Sequence, residues 1–284
     1  MNTTLYIIGN GFDRMHNMKT MYADYKEWLK NNLRDDIIRE LESVFDKSSD
    51  KSILWSDFEK ALGQYDFETA ANWDLGSLCL LVLTDGHKTK VLGNPPYINA
   101  SLKDIVNTSF TSWVKEIEIA HRQIITLDKE ALFLSFNYTE TLECVYSISP
   151  SQVFHIHGYR KTDDKIIVGH DNEIDPTSAY IEGNDIRNNN ERLQHICDMN
   201  NLAKPVQTII EKANSFWRKL SNIDRVIVIG HSCNNVDFPY FEKVTSSILK
   251  NAQWVFYCHT DVDIVRVEKM TKTLGITKFQ IKQS

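Results

Sequence analysis

Residues 5–14 read Leu5-Tyr6-Ile7-Ile8-Gly9-Asn10-Gly11-Phe12-Asp13-Arg14. The apolar run that opens this stretch is continuous rather than alternating, which suits a strand buried on both faces of a parallel sheet covered by helices. It stops on Gly9-Asn10-Gly11, two of the three glycines of a dinucleotide fingerprint. Glycine lets a backbone approach a neighbour closely, and amides in such a turn, backed by a helix terminus, suit a phosphate. An ordinary strand-to-helix turn would carry the same residues. Gly9, Asn10, Gly11, Phe12, Asp13 and Arg14 are therefore candidate nucleotide contacts, with Asp13 and Arg14 open also to a plain ion pair.

Further apolar runs of strand length lie at Ala131–Phe136, Val153–Ile156, Lys165–Val168, Arg225–Ile229 and Trp254–Cys258. With helical stretches between them, they predict an α/β fold: a Rossmann-like parallel sheet covered by helices. One domain is expected over residues 1–284, with a large helical insertion over about residues 20–127 after the first strand. In that insertion Thr20 is expected to cap a helix whose apolar face is Met21, Tyr25, Trp28 and Leu29. Ser56 and Glu59 read as a capping box. Asn94-Pro95-Pro96 breaks the chain before a helical stretch from about Leu102 to Leu127. Residues 183–201, polar and rich in asparagine, are expected to form a mobile loop with a short helix.

With 11 glycines in 284 residues, their placement is informative. Gly9, Gly11, Gly158, Gly169 and Gly230 all fall at or just beyond the ends of the expected strands, and ligands of open α/β sheets bind outside the strand carboxyl ends. Asn137, directly after the second run, has donor and acceptor groups for a ribose hydroxyl or a water, or for a turn. In Phe154-His155-Ile156-His157-Gly158 the two histidines would share one strand face. His155, deeper, reads as structural, and His157, at the mouth, as the better proton acceptor. Gly230-His231-Ser232, followed by Asp237, offers amides and a hydroxyl to a phosphate or ribose. Any one of these is an unremarkable turn; four in the same topological place argue for a site.

The bulk figures narrow the class. A net charge of −6 with 25% charged residues and no basic run argues against a nucleic-acid partner. The longest apolar run, Leu78–Leu83, is too short to span a bilayer, and the amino terminus lacks a cationic or cleavage-type segment. Five scattered cysteines with no CxxC indicate neither a disulfide framework nor a zinc ribbon. No metal is expected at the histidine pair, since no Asp, Glu or Cys completes a compact set nearby. The expected location is cytoplasmic.

Taken together, LYIIGNGFDR (5–14) with KTMYADY (19–25), WSDFEKAL (55–62), FLSFNYTETLE (133–143), FHIHG (154–158) and VIVIGHSCNNVD (226–237) resemble the abortive-infection AbiH family of bacterial phage-defence proteins. More distantly, their order looks like the sirtuin-like NAD-binding fold. The family's glycine turn, asparagine motif, histidine before glycine and Gly-x-Ser turn are matched by Gly9 and Gly11, Asn137, His157, and Gly230 with Ser232. That likeness implies NAD as ligand, with Asn137 and His157 at the reacting site and Gly9, Asn10, Gly11, Phe12, Asp13, Arg14, Gly230, His231, Ser232 and Asp237 around it. Thr139 stands where the sirtuin motif has an aspartate, and the CxxC pairs of the protein deacylases are absent, so lysine deacylation is not implied.

The resemblance implies an antiviral effector that binds NAD or a related nucleotide, and hydrolysis of the nicotinamide glycosidic bond is the leading expectation for its chemistry. Such a reaction passes through an oxocarbenium-like state and needs positioning more than a strong nucleophile. Asn137 would orient the water or a ribose hydroxyl, and His157 would accept a proton. Two other functions stay open. One is a non-catalytic nucleotide sensor that gates a partner protein or acts as a homo-oligomer. The other is a nucleic-acid-processing enzyme, disfavoured by the acidic balance and the lack of clustered carboxylates.

Overall fold

A computed structural model describes residues 3–32, 35–45, 53–64, 102–161 and 166–283. In chain order its elements begin with β1 (Thr4–Ile8), α1 (Asn10–Met15), α2 (Tyr22–Asn32), α3 (Asp35–Phe45), α4 (Ile53–Ser56), α5 (Phe58–Leu62) and α6 (Leu102–Glu116). They continue with β2 (Leu132–Ser135), α7 (Thr141–Tyr146), β3 (Val153–His155), α8 (Ile186–Asn200), α9 (Val206–Lys212) and α10 (Asn214–Lys219). The last are β4 (Arg225–Ile229), α11 (Phe238–Ser247), β5 (Gln253–Cys258), α12 (Asp261–Leu274) and β6 (Phe279–Gln283). Two compact units result: Met1–Thr20 with Ile117–Ile166 and Pro205–Ser284, and Met21–Glu116 with Ile167–Lys204.

The first unit is an α/β layer structure on a six-stranded sheet in the order β3-β2-β1-β4-β5-β6. Every neighbouring pair is parallel. All five residues of β1 are buried, so the continuous apolar run reflects cover on both faces. On one face Tyr6, Ile8, Phe133 and Ile229 pack with Phe12 of α1 and Leu142 and Tyr146 of α7. On β3, Phe154 stacks on Phe216 of α10, ring centres 4.9 Å apart. β6 carries no apolar run because it is an edge strand: Phe279-Gln280-Ile281-Lys282-Gln283 is exposed along most of its length.

The second unit is helical. Tyr25, 1% exposed, sits among Trp55, Phe58, Phe110 and Trp113. Its hydroxyl meets Ser109 Oγ at 2.6 Å. Tyr25 and Leu29 are buried as the spacing predicts, but Met21 is exposed and the helix starts at Tyr22, with the Asp24 carboxylate accepting from the Met21 amide. Asp57, not Ser56, caps α5, because Ser56 closes the preceding turn of helix. The helix expected to reach Leu127 stops at Glu116. Beyond it the chain belongs to the first unit, where the Ile124 amide donates to the Tyr146 hydroxyl at 3.3 Å.

Two further expectations need correction. Residues 183–201 are not a loop: α8 fills most of them, capped by Asp185, whose side chain accepts from the Arg187 amide at 2.9 Å. Ile196 and Met199 bury its inner face. Residues 166–169 form no strand, and Gly169 lies against Leu202, whose carbonyl an added Cβ would meet at 2.0 Å. It therefore leaves the set of glycines at the sheet edge. The Leu78–Leu83 run, Asn94-Pro95-Pro96, and Lys165 lie outside the described residues.

Within this unit Lys204, its side chain 1% exposed, pairs with Glu59 at 2.9 Å. Removing one partner of a buried ion pair strands the other charge. Lys204→Met is expected to lower unfolding free energy by about 3 kcal/mol, and Lys204→Met with Glu59→Gln by clearly less. Equal losses in urea titrations of the single and double variants would contradict this.

Candidate functional site at the carboxyl edge of the sheet

Register puts the strand ends level: Ile8 pairs with Ser135 and Ile229, and Ser135 with His155. The chain builds outward from β1 through β2 to β3, then resumes on the other side at β4. This is the doubly wound order, and its reversal point, where ligands of such folds lodge, lies between β1 and β4. The segments from Gly9 to Asp13 and from Gly230 to Asp237 flank it.

The glycines there close a seam. Gly230 adopts a left-handed backbone at φ +64°, and an added Cβ would lie 2.2 Å from the Phe12 nitrogen. Cβ atoms on Gly9 and Gly11 would each come within 2.6 Å of Gly230. The amides of Gly9, Gly11 and Phe12 donate to Ile229 O, Gly230 O and Gly9 O, at 3.0, 2.7 and 2.9 Å. Those three donors are thus engaged within the protein, and the Gly-x-Gly turn serves close packing of two loops rather than a ready phosphate cradle. Phe12 is a core residue, fully buried against Tyr146. Asn10 and Arg14 are exposed, with Asn10 Nδ2 donating to Thr20 O at 2.8 Å.

Asp13 points inward and is 1% exposed. Its Oδ2 accepts from Thr139 Oγ1 at 2.5 Å and its Oδ1 from Thr141 Oγ1 at 2.8 Å. Burial pushes its carboxyl up, against the opposing pull of Thr139, Thr141, Asn137 and His16. Asn137 is 6% exposed, and neither Oδ1 nor Nδ2 of its amide makes a well-formed hydrogen bond. The amide sits close enough to Asp13 to favour the ionised carboxylate. Nearby, His16 Nδ1 donates to Phe12 O at 2.7 Å and its Nε2 meets the Tyr146 hydroxyl at 2.8 Å. The Asp13–Thr139–Thr141 cluster carries no local sequence pattern, because Asp13 lies more than a hundred positions from the two threonines.

A carboxyl raised in the native state binds its proton more tightly there than in the unfolded chain. Its contribution to stability is therefore lost as pH rises through the native value. Asp13→Asn keeps an acceptor and removes that loss. Its thermal midpoint, relative to the parent, is expected to climb as pH goes from about 4 to neutrality. A gap that stays constant across the range would contradict the placement of Asp13.

The histidines part company. β3 ends at His155, and the chain turns through Ile156, His157 and Gly158, the last at φ +76°. The two rings therefore do not share a strand face. His155 Nδ1 donates to Asn137 O at 3.2 Å and Nε2 meets the Glu143 carboxylate at 2.9 Å. His157 is 2% exposed, not at a mouth, and its Nε2 lies 3.4 Å from the Tyr240 hydroxyl with Phe136 and Tyr138 beside the ring. His231 accepts the Cys233 amide on Nδ1 at 2.9 Å, which leaves the proton on Nε2, 3.4 Å from Asp237 Oδ2. Phe136 stands edge-on to His231 at 4.4 Å. Ser232 is half-buried in the same loop. The structure thus joins Asn137 with Asp13, and joins His157 with Tyr240; His231 and Asp237 form a third pair.

Among the described residues no helix is long and apolar enough to cross a membrane, and no three His, Cys, Asp or Glu side chains cluster in a metal-holding arrangement. No curated protein matches the chain significantly. The family model described as Bacteriophage abortive infection AbiH matches residues 5–258, from β1 to the end of β5. A match over that span covers every segment flanking the reversal point, and the chain belongs to the bacteriophage abortive infection AbiH family.

Proposed function

We propose that this chain acts in phage abortive infection by binding NAD at the carboxyl edge of its sheet and hydrolysing the nicotinamide glycosidic bond. The family membership gives the defence role. NAD rests on the order of glycine turn, Asn137, His157-Gly158 and Gly230-x-Ser232, which is similar to that of the sirtuin-like fold. The observation that carries the chemistry is the Asn137 amide, buried without a well-formed hydrogen bond at the end of a central strand. A buried polar group left unsatisfied costs about 1–3 kcal/mol, and its retention calls for a ligand or water that completes it. An amide presenting both a donor and an acceptor can hold a water and a ribose hydroxyl together. His155, through Asn137 O, fixes the loop that carries it.

Nicotinamide release from NAD by the purified chain, alone and with a lysate of infected cells, tests this. Release above the rate without protein is expected. NAD binding with no release would favour a nucleotide sensor instead, and neither binding nor release would remove NAD from the proposal.

A further inference from the structure

Hydrolysis needs a proton acceptor beside the attacking water. We propose that Asp13 is that acceptor, a catalytic base facing the water held by Asn137; this rests on the hydrolase proposed above. In the step, the water oxygen bonds to the anomeric carbon as the bond from that carbon to the nicotinamide nitrogen breaks. The bonding pair leaves with neutral nicotinamide, and the water proton passes to a carboxylate oxygen of Asp13. Water is the only co-reactant.

Three observations select Asp13 over the histidines. The Asn137 amide lies toward Asp13, whereas the His157 ring packs with Phe136, Tyr138 and Tyr240. Both ring nitrogens of His155 are committed, to Asn137 O and to Glu143. Each Asp13 oxygen accepts one threonine hydroxyl, and a carboxylate oxygen has a second acceptor site to spare.

The electrostatics agree. Among the described residues no lysine or arginine pairs with Asp13. The groups facing it are Thr139, Thr141, the Asn137 amide and, from its own helix, His16. Glu140 provides a contrast from the same loop: despite its burial, Lys161 and Arg160 hold its carboxyl low. A carboxylate clamped by cations gives up its affinity for protons. One that is buried among hydroxyls, with its carboxyl pushed up, keeps that affinity, as a general base must.

The test compares nicotinamide release by the parent, Asp13→Asn, Thr139→Val and His157→Ala across pH, in the same preparations with infected-cell lysate. Asp13→Asn is expected to lose about 10²–10⁴-fold in turnover while still binding NAD and staying folded. Thr139→Val removes a hydrogen bond that favours the ionised carboxylate, so the acidic limb of its rate profile should move to higher pH; a residue with only a structural role would not shift that limb. In His157→Ala that limb should stay where the parent has it. If the parent is active and Asp13→Asn turns over normally, or if the limb stays put in Thr139→Val while His157→Ala is dead, Asp13 is not the base and the hydrolase survives. If the parent releases no nicotinamide, both proposals fall.

Discussion

Gly230→Ala is expected to cost roughly 2–5 kcal/mol of stability, a large share of the about 5–15 kcal/mol that holds an ordinary domain together. The loss has two parts. A left-handed backbone costs an alanine about 1–2 kcal/mol, and Gly230 sits at φ +64°. The second part is overlap: the new Cβ would lie 2.2 Å from the Phe12 nitrogen and 2.5 Å from the Gly11 carbonyl carbon. Backbone atoms of a buried turn have no rotamer to move to, and forced repacking of this kind costs about 1–3 kcal/mol. Gly275 serves as control. It ends α12 at φ +66° with no atom within 4 Å of an added Cβ, so Gly275→Ala should lose only the backbone part. Urea titration of both variants reads the difference. Equal losses would mean that the seam between the two loops is not closed as described.

Asn137→Ala should behave in the opposite way. Turnover of NAD is expected to fall about 10²–10⁴-fold, the range for loss of a group that positions or activates a reactant. Stability should change little, because losing the pull of the amide on the Asp13 carboxylate is offset by removing a buried amide without a well-formed hydrogen bond. A buried asparagine kept for packing would show the reverse pattern, a lower thermal midpoint with turnover intact. Measuring kcat and thermal midpoint on the same preparations separates the two.

The sheet was legible because its strands are buried on both faces. β1, β2 and β4 are continuous apolar runs, and residues Ile8, Ser135 and Ile229 end them at one level. β6 was not legible, since an edge strand needs little apolar surface. α8 was hidden in a similar way: Asn188 and Asn190 are exposed, Asn189 and Asn200 bond the backbone of Ile181 and Ile174, and its buried apolar face is carried by few residues, Ile196 and Met199 among them. The site was legible in its positions more than in its partners. Asn137, Gly9, Gly11 and Gly230 could be placed at the sheet edge from their neighbours in the chain, whereas Gly169 could not. That the Gly-x-Gly amides would be engaged by Ile229, Gly230 and Gly9 depends on how two distant loops meet. His157 departs from the period-two expectation in its placement because β3 ends at His155 and a turn follows.

NAD levels in cells under attack reach the central claim most directly, because they include whatever signal infection supplies. Cells expressing the parent chain or Asn137→Ala would be infected with a phage against which the parent protects, and total NAD followed through the infection. A fall in NAD with the parent, with neither fall nor protection with Asn137→Ala at equal protein abundance, is the expected result. Protection by the parent with NAD unchanged would contradict hydrolysis of NAD as its means of defence.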